Sequence, residues 1–148
     1  MTERLVDVLL VDDNPTDIAL IMAAIRQSGF DGTVSRARDG LEAIELLHGT
    51  DGHADTLRPR VVVLDLKMPR VDGFDVLRQA RAQESTAWLP IVVLTSSDLE
   101  SDVATSYQLG TSGYVVKPTS FDLLSHRIRA ILDYWVKANR SHPGWMPR

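Results

Sequence analysis

The 148-residue sequence predicts an α/β fold, a doubly wound parallel sheet of five strands with five helices. Two observations carry this. First, short apolar runs recur, and four of them end in a reactive or ion-binding side chain. Residues 5–11 run into Asp12-Asp13, residues 61–64 into Asp65, residues 91–94 into Thr95, and residues 114–116 into Lys117-Pro118. Continuous β-branched runs read as strands buried on both faces, the pattern of a parallel sheet. Second, helical patterns alternate strictly with these runs, which is the signature of α/β architecture. A closed eight-fold barrel would need about 250 residues, so an open sheet is the better fit.

Each element has its own signals. After the first strand, Asn14 caps a helix and Pro15 suits its first turn. Ile18, Ile21, Met22 and Ile25 form its apolar stripe, and Gly29 stops it. Residues 33–37 make a short second strand. Asp39 with Glu42 resembles a capping box before Leu41, Ile44 and Leu47. Residues 48–59 carry two glycines, two aspartates and a proline and read as a long exposed loop. The third strand ends at Asp65. Turn chemistry over residues 68–73 then precedes a helix bearing Phe74, Leu77 and Ala80. Pro90 opens the fourth strand. Ser97 or Asp98 caps a helix with Val103, Ala104 and Tyr107 inward, and Gly110 stops it. Residues 113–116 are the fifth strand. The last helix starts at Ser120, with Phe121, Leu124, Ile128, Ile131, Leu132 and Trp135 on one stripe. Pro143 and Gly144 end any helix, so residues 1–140 read as a single domain and residues 141–148 as a loose tail.

Bulk properties exclude several classes. Hydrophobic content of 44% and charged content of 24% exclude disorder. No apolar run approaches the roughly 20 residues needed to cross a bilayer. The start lacks a signal peptide's cleavage site, and there are zero cysteines, hence no disulfide or thiolate chemistry. A cytoplasmic setting follows as the expectation. The net charge of −4 argues against direct DNA binding. Five Lys/Arg face one acid, Asp133, over residues 126–148, which reads as a solvated helix end rather than a basic docking surface.

In an open parallel sheet, ligands bind at the carboxyl ends of the strands. The flavodoxin-like order 2-1-3-4-5 puts its crevice between strands 1 and 3, which brings Asp12-Asp13 beside Asp65. Crowded carboxylates raise one another's pKa, and a hard dication relieves them. An ionised Asp can then act as nucleophile toward phosphorus, with Lys117 supplying a second positive charge and Thr95 a hydrogen bond. Each residue alone has an ordinary reading as a helix cap, a solvated acid or a surface lysine. The conjunction, each group at a strand end and in order, is what carries the argument.

Val11-Asp12-Asp13-Asn14, the segment from Leu64-Asp65-Leu66-Lys67-Met68-Pro69 to Asp72-Gly73, Leu94-Thr95-Ser96-Ser97, and Tyr114-Val115-Val116-Lys117-Pro118 resemble, in order, the motifs of two-component response-regulator receiver domains. The resemblance covers roughly residues 5–132. It implies that Asp65 accepts a phosphoryl group from a sensor histidine kinase. It implies Mg²⁺ held by Asp13, Asp65 and the main-chain carbonyl of Lys67, with Asp12 acting through metal-bound water. Lys117 would pair with the phosphoryl group across a cis Lys117-Pro118 bond, and Thr95 and Tyr114 match the family's switch pair. The position two after the acceptor, often Asn in the family, is Lys67, whose charge bears on phosphoryl lifetime.

No output domain follows in this sequence, so a stand-alone regulator is expected. It would not turn over external substrates. It would signal through the fourth helix, fifth strand and fifth helix, by homodimerisation or by docking a partner. The long loop and Tyr134-Trp135 resemble small receivers that partner bacterial phytochrome kinases. Three other readings stay open. An aspartyl phosphatase would carry Asp-x-Asp after the first strand, where Asn14 stands in the third position. A nucleotide or flavin module would want a phosphate-cradling loop there, and none is present. A receiver-like adaptor that is never phosphorylated would not need the full acidic set.

Overall fold

The computed structural model describes residues 3–49 and 55–146. Its elements in chain order are β1 (Glu3–Val11), α1 (Pro15–Gln27), β2 (Val34–Ala37), α2 (Gly40–His48), β3 (Thr56–Leu64), α3 (Gly73–Ala82), β4 (Ile91–Thr95), α4 (Glu100–Gln108), β5 (Gly113–Val116) and α5 (Phe121–Leu132). A 3-10 turn (Glu84–Thr86) precedes β4, and a π-helical turn (Asp133–Ala138) extends α5. The five strands are parallel, in the order β2-β1-β3-β4-β5. The expected flavodoxin-like fold is therefore the observed one.

The sheet is buried on both sides, as its unbroken apolar runs require. On one face Leu9, Val11, Val62, Leu64, Ile91 and Val93 pack under α2 and α3. On the other, Val8, Leu10, Val61, Val63, Val92 and Leu94 pack under α1 and α5. In-register pairing of Val11 with Leu64 brings the chain after β1 level with the chain after β3. Helix ends follow the local chemistry. Asn14 accepts the Asp17 amide at 3.0 Å and Ser120 accepts that of Leu123. Asp72 and Asp75 form a reciprocal capping box. Gly29 and Gly110 follow α1 and α4 with φ of 76° and 95°, where a side chain would be strained.

Several expectations are corrected. The loop is shorter than residues 48–59, because β3 already begins at Thr56; residues 50–54 lie outside the described residues. Leu57 and Pro59 are buried alternately before the unbroken run starts. Leu41 is exposed, and Ala43 takes the inward position on α2. Neither Ser97 nor Asp98 caps α4; Leu99 precedes it with no side-chain cap. On α4 Ser106 is the buried residue, while Ala104 and Tyr107 face solvent. The helix is short and its polar face turns inward through the Ser106 hydroxyl, which donates to the Asp102 carbonyl at 2.7 Å.

The segment after residue 140 is not loose along its described length. Trp145 and Met146 are buried in the α2/α3-side core. The Trp145 indole donates to the Pro59 carbonyl at 2.7 Å. The Arg58 guanidinium lies 4.7 Å over the same ring and donates to the Trp145 carbonyl from Nε at 2.7 Å. Upstream, His142 stacks on Trp88 with ring centroids 4.0 Å apart. The Pro143-Gly144 turn thus folds the chain back rather than releasing it.

Candidate functional site

The site lies where β1, β3 and β5 end. Asp12 is almost fully buried, and its Oδ1 accepts the Asn14 amide at 2.9 Å. Asp65 is also buried; its Oδ1 accepts the amide of Leu66 at 2.8 Å. The backbone amide of Asp65 donates to the Val11 carbonyl, which ties the two acidic turns together. Gly73 lets α3 start against this turn: a Cβ there would stand 2.4 Å from the Asp65 carbonyl oxygen. Carboxylate oxygens of Asp12, Asp13 and Asp65 lie within 4.8 Å of one another.

Lys117 reaches into this group. Its Nζ donates to Asp12 Oδ2 at 2.7 Å, to Asp17 Oδ2 at 2.9 Å and to Asp65 Oδ2 at 3.3 Å. Burial works against the Lys117 ammonium, but the Asp12 bond, the Asp65 charge and the Asp17 bond outweigh it and hold its pKa above the ordinary lysine value. Asp12 is also pushed up, first by burial, with the Lys117 and Asn14 bonds pulling it part of the way back. The two directions agree physically. Several carboxylates share one ammonium, so the lysine is held charged while a buried acid remains short of positive charge.

Such a donor set fits a hard dication. Mg²⁺ binds oxygens at about 2.0–2.1 Å, so neighbouring ligand oxygens on one ion stand about 3 Å apart and opposite ones about 4.2 Å. A group within 4.8 Å needs only a small closure. Thr95, at the end of β4, is fully buried and its Oγ1 has no hydrogen-bond partner among the described residues, which is rare for a buried hydroxyl and suits an incoming oxygen. The Lys117 amide donates to the Thr95 carbonyl at 2.7 Å, fixing the two residues to one another.

Other expected residues stand apart from this group. The Lys67 side chain turns away to Asp102 on α4, with Nζ 3.6 Å from Oδ2. The same carboxylate oxygen accepts the Ser97 hydroxyl at 2.6 Å. The Tyr114 hydroxyl donates to the Ser97 carbonyl at 2.8 Å, and burial raises its pKa. The Lys117–Pro118 bond is trans, as no cis bond occurs among the described residues. The trans form is favoured by about 0.5–1 kcal/mol for any X–Pro bond, and three carboxylates already orient the lysine. Sequence reasoning missed Asp17 and Asp102. An acid in the first turn of a helix reads as a partner of the helix dipole, so its contact with a lysine 100 residues away leaves no local trace.

A parallel 2-1-3-4-5 sheet with an acidic crevice at β1/β3 and a lysine after β5 defines the receiver class. The model of the response regulator receiver domain matches residues 8–129, and the chain belongs to this family, the signalling modules of two-component systems. It is 40% identical over 137 residues to the probable methanogenesis regulatory protein FilR2 of Methanothrix harundinacea, covering 93% of this chain and 87% of that one. It is 32% identical to the response regulator Rcp1 of Synechocystis, covering 88% of each. The structure of the phosphorylated cyanobacterial phytochrome response regulator RcpA superposes with a TM-score of 0.84 at 32% identity, covering 92% of this chain and 97% of that one. Rcp1 has been solved in a Mn²⁺-bound form, which superposes with a TM-score of 0.83 at 29% identity, covering 94% of this chain and 99% of that one.

Proposed function

We propose that this chain is a response regulator that accepts a phosphoryl group on Asp65 from a sensor histidine kinase, in a Mg²⁺-dependent reaction in the cytoplasm. The observation that carries this is the convergence of Asp12, Asp13 and Asp65 within 4.8 Å, with Lys117 bonded to two of the three. Similarity to the phytochrome response regulator RcpA supports a phytochrome-type kinase as the donor.

An oxygen of the Asp65 carboxylate attacks phosphorus. The O–P bond forms as the N–P bond to the kinase histidine breaks, and the electron pair leaves with the imidazole. Transfer needs positioning and charge neutralisation more than covalent help. The Leu66 amide holds Asp65 Oδ1 and leaves Oδ2 toward Lys117. Mg²⁺, when bound, neutralises charge on the transferred group, and Asp13, Asp65 and the Lys67 carbonyl would hold it, with Asp12 acting through a bound water. Lys117 then exchanges carboxylate partners for the phosphoryl oxygens, and Thr95 supplies its unpaired hydroxyl.

The signal leaves through α4, β5 and α5. Tyr107 and Tyr134 are exposed beside a shallow groove of about 620 Å³ lined by Tyr114, Ile131 and Trp135. Driving a switch from 1:99 to 99:1 takes about 5.5 kcal/mol of differential stabilisation. A neutral hydrogen bond contributes about 0.5–1.5 kcal/mol, so the Thr95 contact must act together with Lys117 and the metal. Rearrangement of Thr95 frees Tyr114 from Ser97 and reshapes this face for a second copy or a partner. Incubation with acetyl phosphate and Mg²⁺ should add one phosphoryl group to the wild type and none to Asp65→Asn; equal labelling of the two refutes the reading.

A further inference from the structure

Lys117 has three ammonium protons, and the structure gives it three carboxylate partners. Two of these, Asp12 and Asp65, belong to the group that would gather a dication. The third, Asp17, is outside that group. Its place is set locally: Asn14 caps α1 by accepting the Asp17 amide, which puts the Asp17 side chain on the first helical turn facing the end of β5. The burial differs as well. The Asp12 side chain is 1% exposed and that of Asp65 8%, whereas Asp17 is 33% exposed. Moving Lys117 onto Asp17 therefore strips less water than keeping it on the inner acids.

We propose that Asp17 is a positioning residue that gives Lys117 a counter-ion outside the metal-binding group, so that the lysine yields Asp12 and Asp65 to the dication without leaving the site. This rests on the metal-dependent reading of the preceding section. Lys117 and a dication draw on the same two carboxylates, Asp12 and Asp65. With Asp17 present, the lysine retains one charged partner when the other two are withdrawn. Without it, the ammonium holds Asp12 and Asp65 more tightly and the dication must displace it. After phosphoryl transfer the same tether works in the other sense. Asp17 draws Lys117 away from the phosphoryl oxygens, so its removal should prolong the phosphorylated state.

The test is a double-mutant cycle on the full chain at pH 6, read by calorimetric titration with Mg²⁺. Asp17→Asn keeps the shape and removes the charge. It should weaken Mg²⁺ about fivefold, the low end of coupling between linked sites, and lengthen the lifetime of the phosphorylated protein. Asp17→Glu should restore both. In a Lys117→Met background, Asp17→Asn should leave Mg²⁺ affinity unchanged. The same loss in both backgrounds would mean that Asp17 acts on the dication directly through space and would overturn the proposal, as would unchanged affinity in the wild-type background. Absence of Mg²⁺ binding by the wild type would instead overturn the metal-dependent reading and this proposal with it.

Discussion

Replacing Lys117 by methionine keeps the apolar stem and removes the ammonium that pairs Asp12, Asp17 and Asp65. Asp12 and Asp65 are buried, so they cannot recover full hydration. Breaking a buried pair by deleting one partner costs about 3–5 kcal/mol. Protonation limits the loss. A buried acid left alone takes up a proton, and at pH 7 protonating a carboxyl whose ordinary pKa is about 3.9 costs about 1.4 kcal/mol per unit, or about 4 kcal/mol. Asp12 is already shifted upward and is the acid that should take it. The sign follows. A carboxyl whose folded pKa is raised above its unfolded value contributes stability below the unfolded pKa and loses it as pH rises. The variant should therefore be destabilised by about 3–4 kcal/mol at pH 7 but only about 1.5 kcal/mol at pH 5. Urea unfolding in EDTA at both pH values measures this, and added Mg²⁺ should recover much of the loss at pH 7. A pH-independent penalty, or none, would refute the reasoning that Lys117 neutralises buried acids.

Two further outcomes concern the rest of the fold. Trp145→Ala should cost about 3–5 kcal/mol, the usual range for emptying a buried aromatic site, and so lower the melting temperature by about 10 °C; a shift of a degree or two would show that the segment is undocked in solution. His48 sits at the end of α2 with Nε2 2.9 Å from Thr86 Oγ1. That hydroxyl donates to the Ala80 carbonyl, so Nε2–H is the donor and the buried Nδ1 has no hydrogen-bond partner among the described residues. Burial lowers the His48 pKa, so the unfolded chain binds the proton first and stability should fall as pH drops below about 6.5. His48→Gln should flatten the decline between pH 7.5 and 5.5 in urea titrations; an unchanged slope would remove His48 as its source.

The strand ends were legible because a parallel sheet buries both faces, and runs such as residues 61–64 and 91–94 have little other use. Strand order then brought Asp12, Asp13, Asp65 and Lys117 to one edge from three distant segments. What stayed hidden was longer in range or mixed in signal. Residues 56–60 of β3 alternate buried Leu57 and Pro59 with polar neighbours, and the proline reads as a loop. Trp145 follows a Pro-Gly turn, and no local pattern reveals that Pro59 and Arg58 await it. The α4 stripe failed because Val103, Ala104 and Tyr107 have helical spacing, yet the helix presents Ser106 inward. Asp17 and Asp102 read as helix-start acids, and only the fold brings each to a lysine on another loop.

Asp65 itself should carry the phosphoryl group. Borohydride reduces an aspartyl phosphate to homoserine without touching a free carboxylate. Protein treated with acetyl phosphate and Mg²⁺, reduced and digested should yield homoserine in place of Asp65, with Asp12, Asp13 and Asp17 unchanged. Homoserine at any of those three, or none at Asp65 in a sample that has taken up phosphate, would contradict the account.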